Sequence, residues 1–369
     1  FFTITLPLLT PALVGASVLT FMSGMSSFAA PNLIGGEFRV MSVQILLTKT
    51  NGFYNLVSVQ GLMLALMSLV FLVVMRFYET RRNYIMDVKG KPMEPYVVRG
   101  FGKNLAINLG LIVVLMVIVL PIIAIVLLSF VPRYAMAVDI FPKSFDLSNY
   151  IEFFSKPRIL KPFLNSLWMA CVGASTATIV GVLSSYIIVK TKVRLRFLVE
   201  FLVLIPWALP ASTVAINMIL AFNQPTPFAF GQVLVGTSIL LPLTYATSRI
   251  TLIVRNTSAA LYQLHNSIEE ASRSLGANWL KTFLRVLVPI LAPSILSAAM
   301  LSFVALVGEY TMSVLMYTPS TTPVTVAMTG AMNNFNVGLA MVYGVFLIII
   351  TVVMMSIFKT SDASEQFSF

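Results

Sequence analysis

The chain is poor in the residues that most chemistry needs. One cysteine, Cys171, excludes an internal disulfide framework, and one histidine, His265, cannot assemble a metal cluster alone. No G-x-x-x-x-G-K-[ST] loop is present. Gly100-Phe-Gly-Lys103 has the wrong spacing and no following Ser or Thr, so ATP binding of the usual kind is not expected. The H-E-x-x-H, CxxC and nucleophile-elbow patterns are absent too, so no catalytic residue, metal site or cofactor is assigned to this chain. Charge is scarce: 10% of residues are charged while 58% are hydrophobic, which is not a soluble globular composition.

What fills the chain instead is long apolar runs. Eight segments, at 8–30, 55–77, 104–131, 163–189, 198–222, 231–253, 290–313 and 336–358, are each long enough to cross a hydrocarbon core of about 30 Å. They are too continuous for a β-barrel. The expectation is an all-α polytopic membrane protein with about eight transmembrane helices.

The net charge of +11 is explained by topology. If Ile4-x-Leu6-Pro7 faces the cytosol, segments Arg76–Lys103, Lys190–Arg196, Arg249–Arg285 and Lys359 hold 17 of the 24 Lys and Arg on that side. This bias obeys the positive-inside rule, places the 267–289 loop in the cytosol and removes the case for nucleic acid.

A shift of 282 residues aligns Ile4-Thr-Leu-Pro7 with Val286-Leu-Val-Pro289, Pro11 with Pro293, Ala16 with Ala298 and Phe21 with Phe303. Both copies continue into an apolar span, a polar outer loop and a last span, which reads as an internal repeat. Residues 1–78 are then the last two spans of a first half. Residues 79–103, with Gly90, Pro92, Pro95, Gly100 and Gly102, form a cytosolic linker, and 104–369 a complete six-helix second half. The expectation is of a chain whose first half lacks its beginning, with Ile4, Leu6 and Pro7 the tail of a second loop like 267–289.

The most informative stretch is Ser267–Pro289. Ser267 and Glu270 have capping-box spacing, Gly276 is placed to end the helix left-handed, and Trp279, Phe283 and Val286 recur at helical spacing as an apolar seam. Such a polar helix–turn–helix between apolar spans fits a docking element; an amphipathic helix on the membrane surface is the alternative.

Glu270-Ala271-Ser272, three residues, Gly276, nine residues, then Val286-x-Val288-Pro289 resembles the EAA loop of binding-protein-dependent ABC importer permeases, Glu-Ala-Ala-x3-Gly-x9-Ile-x-Leu-Pro. Ser272 stands for the second Ala, and Val286 and Val288 for Ile and Leu. The segment Phe28–Ile45 resembles the fused two-half ferric iron permeases, and Gly308-Glu309-Tyr310-Thr311 resembles an element of ferric, molybdate and sulfate permeases.

The resemblance implies a type I permease fold in a bacterial inner membrane and no enzymatic activity in the chain itself. It also implies two partners besides the lipid bilayer: a separate ABC ATPase dimer and an extracytosolic substrate-binding protein. Glu270, Ala271, Ser272, Gly276, Trp279, Val286 and Pro289 would couple the chain to the ATPase, whose closure on ATP would switch the spans from inward- to outward-facing. Ferric iron is the substrate it favours, with polyamines, thiamine, phosphonate and sulfate- or molybdate-type anions open.

Two features bear on a path through the membrane. Glu309 sits about 20 residues beyond Pro289, near the far end of a span, where an acid lines a path or makes a helix-packing hydrogen bond. Tyr310 adjoins it. Pro206 and Pro210 interrupt one span, either as kinks lining a cavity or as ordinary bundle kinks. A secondary transporter would share repeats and broken helices, but it would leave the loop unexplained and offers only Glu309 for ion coupling. A membrane enzyme lacks any cluster of His, Asp or Cys near a span.

Overall fold

A computed structural model describes residues 5–80, 100–133, 135 and 144–366. Ile4 and most of the expected linker lie outside the described residues. Every described regular element is helical. The first segment holds α1 (Thr5–Ser26), α2 (Ala29–Ile34), α3 (Met41–Thr50) and α4 (Tyr54–Thr80). There follow α5 (Phe101–Leu128), α6 (Ser148–Ser155), α7 (Pro157–Lys190), α8 (Arg196–Ala208), α9 (Ala211–Phe222) and α10 (Leu240–Gln263). The last group is α11 (Ser267–Ser274), α12 (Trp279–Thr282), a π-turn (Phe283–Leu287), α13 (Val288–Val307), α14 (Thr311–Met316), α15 (Val324–Asn333) and α16 (Val337–Gln366).

Among the described residues, five helical stretches are long and apolar enough to cross a membrane, and the pair α8–α9 makes a sixth if counted as one span. Two of the eight expected segments, α1 and α10, are helices of 22 and 24 residues. Hydroxyls inside these spans bond back to their own helix, as in Ser17 Oγ to the Leu13 carbonyl and Thr244 Oγ1 to the Leu240 carbonyl, both 2.8 Å. Such pairing is what apolar surroundings demand of a polar side chain.

Three expected spans change shape. The 198–222 span is two helices bent by 118° at Leu209-Pro210. Proline carries no N–H and forces the residue before it out of helical geometry, and Leu209 is extended at ψ 137°. The 231–253 span begins at Leu240 and runs to Gln263, because Gly231 and Gly236 take positive φ and hold 231–239 as a loop. Polar residues of its C-terminal half are buried at Thr251 and Thr257, with Thr251 Oγ1 donating to the Val203 carbonyl at 2.6 Å. The 290–313 span stops at Val307, and Gly308–Tyr310 break it before α14.

The repeat recurs in element boundaries. Adding 282 to α2 gives 311–316, the span of α14, and α1 falls on α13. Adding 283 brings α3 onto α15 and carries the start of α4 onto that of α16, the loop before α15 being one residue longer. The turns between these helices pivot on left-handed residues at matching places, Gly52 (φ 80°) and Phe335 (φ 55°).

The copies share one core. Ile45, Val57 and Leu64 pack with Met169, Ile216, Tyr245, Leu306 and Met312. Close approach of α7 and α10 depends on two glycines: a Cβ on Gly173 would lie 2.9 Å from Tyr245 Cβ, and one on Gly181 2.7 Å from Ile253 Cγ2. A second cluster, including Tyr186, Ile253, Leu261, Phe283 and Leu287, packs where α7 and α10 meet the 267–289 loop.

Candidate functional site

The 267–289 loop is a helix–turn–helix whose local chemistry explains its shape. The expected capping box does not form. Asn266 is the N-cap residue and Ser267 is already in the helix, its N–H donating to His265 Nδ1 at 3.3 Å. The histidine two residues upstream takes the orphan donor that the box would have satisfied. The expected left-handed end is there: Gly276 has φ 81°, its N–H reaches the Arg273 carbonyl at 2.9 Å, and the Ala277 N–H reaches Ser272 at 3.1 Å. These two bonds make a Schellman motif. Asn278 then caps α12 through Oδ1, accepting from the Lys281 N–H at 2.9 Å.

The two acids diverge. Glu270 is exposed, whereas the Glu269 side chain, 9% exposed, forms a 3.3 Å ion pair with Lys190 at the end of α7. Ala271 is exposed and Ser272 is buried, its hydroxyl 3.0 Å from Thr282 Oγ1 across the turn. A small residue at 272 thus lets α11 lie against α12.

The seam Trp279–Phe283–Val286 is only partly outward. Phe283 is buried, stacks on Trp279 at 6.2 Å and meets Tyr186 edge-on at 5.1 Å. Val286 lines an open cleft of about 390 Å³ with Ile268, Leu275 and Arg285. Leu275, 89% exposed, stands at its rim, and Pro289 is exposed at the start of α13. The π-turn, unforeseen in the sequence, connects this loop to α13 without a break in the chain's helical course.

The second group of residues surrounds Gly308–Tyr310, about 30 Å along α13 from Val288 at 1.5 Å per residue. Glu309 Oε1 accepts from the Met312 N–H at 3.0 Å, capping α14, and Oε2 lies 4.0 Å from Arg249 Nη2. Its backbone carbonyl accepts from Thr325 Oγ1 at 3.0 Å and from the Ser313 hydroxyl. Tyr310 accepts from Asn32 Nδ2 at 3.0 Å and packs on Phe28.

Ser27 is the repeat equivalent of Glu309, and its carbonyl accepts from Ser42 Oγ at 2.8 Å, the counterpart of the Thr325 bond. The repeat therefore extends to individual hydrogen bonds, and the Arg249–Glu309 ion pair has only a serine at the acid's equivalent place.

Arg249 corrects the charge assignment. It lies inside α10 and not in a loop, nine residues from Leu240, and its Nε is buried without a hydrogen bond. Arg255, six residues along, covers the Trp207 ring at 4.1 Å. The sequence counts both among the cytosolic charges because the span ends at 253 on hydropathy, whereas the helix runs ten residues further, to Gln263. Pro206 and Pro210 frame the bend that carries Trp207, and α9 beyond it packs on α4 and α14. Among the described residues no group of three His, Cys, Asp or Glu is placed to hold a metal ion.

Residues 177–364 match the family described as the binding-protein-dependent transport system inner membrane component. The chain is 28% identical, over 98% of its length and 52% of the relative's, to the ferric transport system permease protein FbpB of Actinobacillus pleuropneumoniae. A probable ABC transporter permease protein, y4fN of Sinorhizobium fredii, is 25% identical over 88% of this chain and 58% of its own. The sulfate transport system permease protein CysT of Salmonella typhimurium is 26% identical over 44% and 61%. The chain thus spans about half the length of the curated relatives it matches over most of its course. A bacterial ABC transporter that imports the polysaccharide alginate shares the fold, with TM-score 0.51 and 20% identity over 75% of this chain and 100% of that one.

Proposed function

The chain belongs to the binding-protein-dependent transport system inner membrane components, the type I ABC permeases, and from that premise we propose that it forms a substrate conduit driven through its 267–289 loop. The observation that carries this is the arrangement of the loop. Glu270 is displayed to solvent on a short helix whose neighbouring acid, Glu269, is tied to a span, beside an open cleft rimmed by Leu275, Lys281 and Arg285. A surface of exposed acid, basic rim and unpartnered leucine suits a protein partner better than a lipid face, and an ABC ATPase subunit is that partner. The loop then faces the cytosol and the Gly308–Tyr310 break the far side. An extracytosolic binding protein delivers the substrate.

Repeat-equivalent contacts across Phe28 and Tyr310 support a path between the two copies, with Glu309 and Arg249 at its edge. Ferric iron is the proposed substrate, supported by the match to the ferric permease along nearly the whole chain, whereas the sulfate match covers 44% of it. The chemistry asked of the chain is mechanical: the loop moves with the ATPase, and packed helices switch between two arrangements.

Uptake by proteoliposomes holding the intact protein, its ATPase subunit and its binding protein tests both levels. ATP-dependent accumulation of ferric iron but not of sulfate is expected. Sulfate accumulation would replace the substrate, and accumulation of either without ATP would replace the mechanism.

A further inference from the structure

Lys190 is the last residue of α7, at 34 residues the longest of the described helices. Its side chain is 6% exposed, and its ammonium reaches three acceptors of the following loop: Asn266 Oδ1 at 2.9 Å, the Leu264 carbonyl at 3.2 Å and Glu269 Oε1 at 3.3 Å. Those acceptors are the connector from α10, the N-cap of α11 and its first turn. Arg273 approaches the other Glu269 oxygen at 3.6 Å, but from a side chain 63% exposed. Lys190 therefore makes the buried attachment, and Arg273 makes a surface contact that solvent weakens.

Stability alone does not account for this pair. Two desolvated charges gain little over an apolar pair of the same size, whereas an ion pair fixes direction and register. Glu269 Oε1 has no aligned hydrogen bond of its own, so the carboxylate depends on the ammonium beside it.

Toward its other end, two turns inside its start, α7 is anchored again. Asn165 Nδ2 donates to the Thr322 carbonyl at 3.0 Å, and Ser166 Oγ accepts from the Val324 N–H at 2.8 Å. That strand of loop leads into α15, whose Thr325 holds the Glu309 carbonyl. Between its ends α7 is locked onto α10 at Gly173 and Gly181. At 1.5 Å per residue the stretch from Ser166 to Lys190 is a strut about 36 Å long, joining α11 to the Gly308–Tyr310 break.

We propose that the Lys190–Glu269 pair is the joint through which displacement of α11 passes to α7 and along it to the Glu309 break, making Lys190 and Glu269 positioning residues for coupling. This rests on the functional reading above. It differs from the part given to Glu270, which faces the partner, whereas Glu269 faces the spans.

The test uses the intact protein reconstituted with the ATP-hydrolysing subunit that co-purifies with it. Lys190→Met and Glu269→Gln should keep that subunit and its hydrolysis, while substrate moved per ATP falls by roughly five- to hundredfold, the usual range of coupling between sites. Lys190→Arg and the swap Lys190→Glu with Glu269→Lys should recover most of the loss. Lys190→Met with Glu269→Leu removes both charges, so it should fold even where a single change leaves one charge stranded, and it should still be uncoupled. Normal transport per ATP in that double variant overturns the proposal, as does a swap that folds and stays uncoupled. A wild-type protein that retains no ATPase subunit overturns the functional reading and the joint with it.

Discussion

Phe28 and Tyr310 occupy equivalent places in the two copies of the repeat, and their rings pack against each other with centroids 5.5 Å apart. A residue that touches its own equivalent lies where a two-fold relation between the copies would place its axis. Asn32, four residues beyond Phe28, donates to the Tyr310 hydroxyl at 3.0 Å, so the contact also carries a polar link. Such an axis passes beside the Gly308–Tyr310 break, and the Arg249–Glu309 pair adjoins it from one copy only, since Ser27 stands at the acid's equivalent place.

The axis gives a direct expectation for cross-linking. With Cys171, the sole cysteine, changed to serine, the pair Phe28→Cys and Tyr310→Cys should join through a short bifunctional thiol reagent within one chain. The joined protein should lose transport, and unmodified protein should retain it. Efficient joining with undiminished transport would move the path away from this axis.

Removing the acid at the break should cost stability. Glu309→Gln weakens the cap on α14 and leaves the Arg249 guanidinium without its counter-charge. A loss of roughly 1–3 kcal/mol is expected, the scale for stranding a buried polar or charged partner. Thermal unfolding in detergent checks it. In a double-mutant cycle Arg249→Met should reduce the damage of Glu309→Gln, and strict additivity would show that the pair does not interact.

Two glycines should fail for different reasons. Gly181→Val places new atoms within 2.8 Å of Ile253 Cβ and Cγ2, so it should pry α7 from α10 at a cost of roughly 1–3 kcal/mol. Gly276→Ala meets no atom within 4 Å, and its cost is the left-handed backbone alone, roughly 1–2 kcal/mol. The first should lower the midpoint of global unfolding. The second should chiefly raise amide exchange in Ser267–Ser274.

The repeat also predicts a gain. Phe335 is left-handed where the first copy has Gly52, and its side chain is 66% exposed. Phe335→Gly should raise stability by about 0.5–1 kcal/mol, the left-handed penalty less the added freedom of the unfolded chain. A fall in the unfolding midpoint would mean that the exposed ring is an anchor worth more than its strain.

Much of this was legible in the sequence, and the misses share causes. Apolar runs located the spans, and the paired prolines disclosed the repeat, because hydropathy and helix breakers act through local chemistry. Gly276 was readable for the same reason: one residue type satisfies the left-handed turn. The capping box failed because His265, two residues earlier, competes for the same donor. Arg249 and Lys190 were unreadable as partners of Glu309 and Glu269, since each pair joins helices distant in sequence. The start of α10 was misplaced because 231–239 is apolar enough to read as span while Gly231 and Gly236 turn it into a loop. Its end was misplaced because polar Thr251 and Thr257 are buried by neighbours that no local window contains.

The proposed meeting of the 267–289 loop with an ATPase through Glu270 is tested most directly by one substitution. Glu270→Lys in the intact protein should abolish co-purification of the ATPase subunit and ATP-dependent uptake together, while the spans keep their unfolding midpoint. Retention of both the ATPase subunit and uptake in that variant would contradict it.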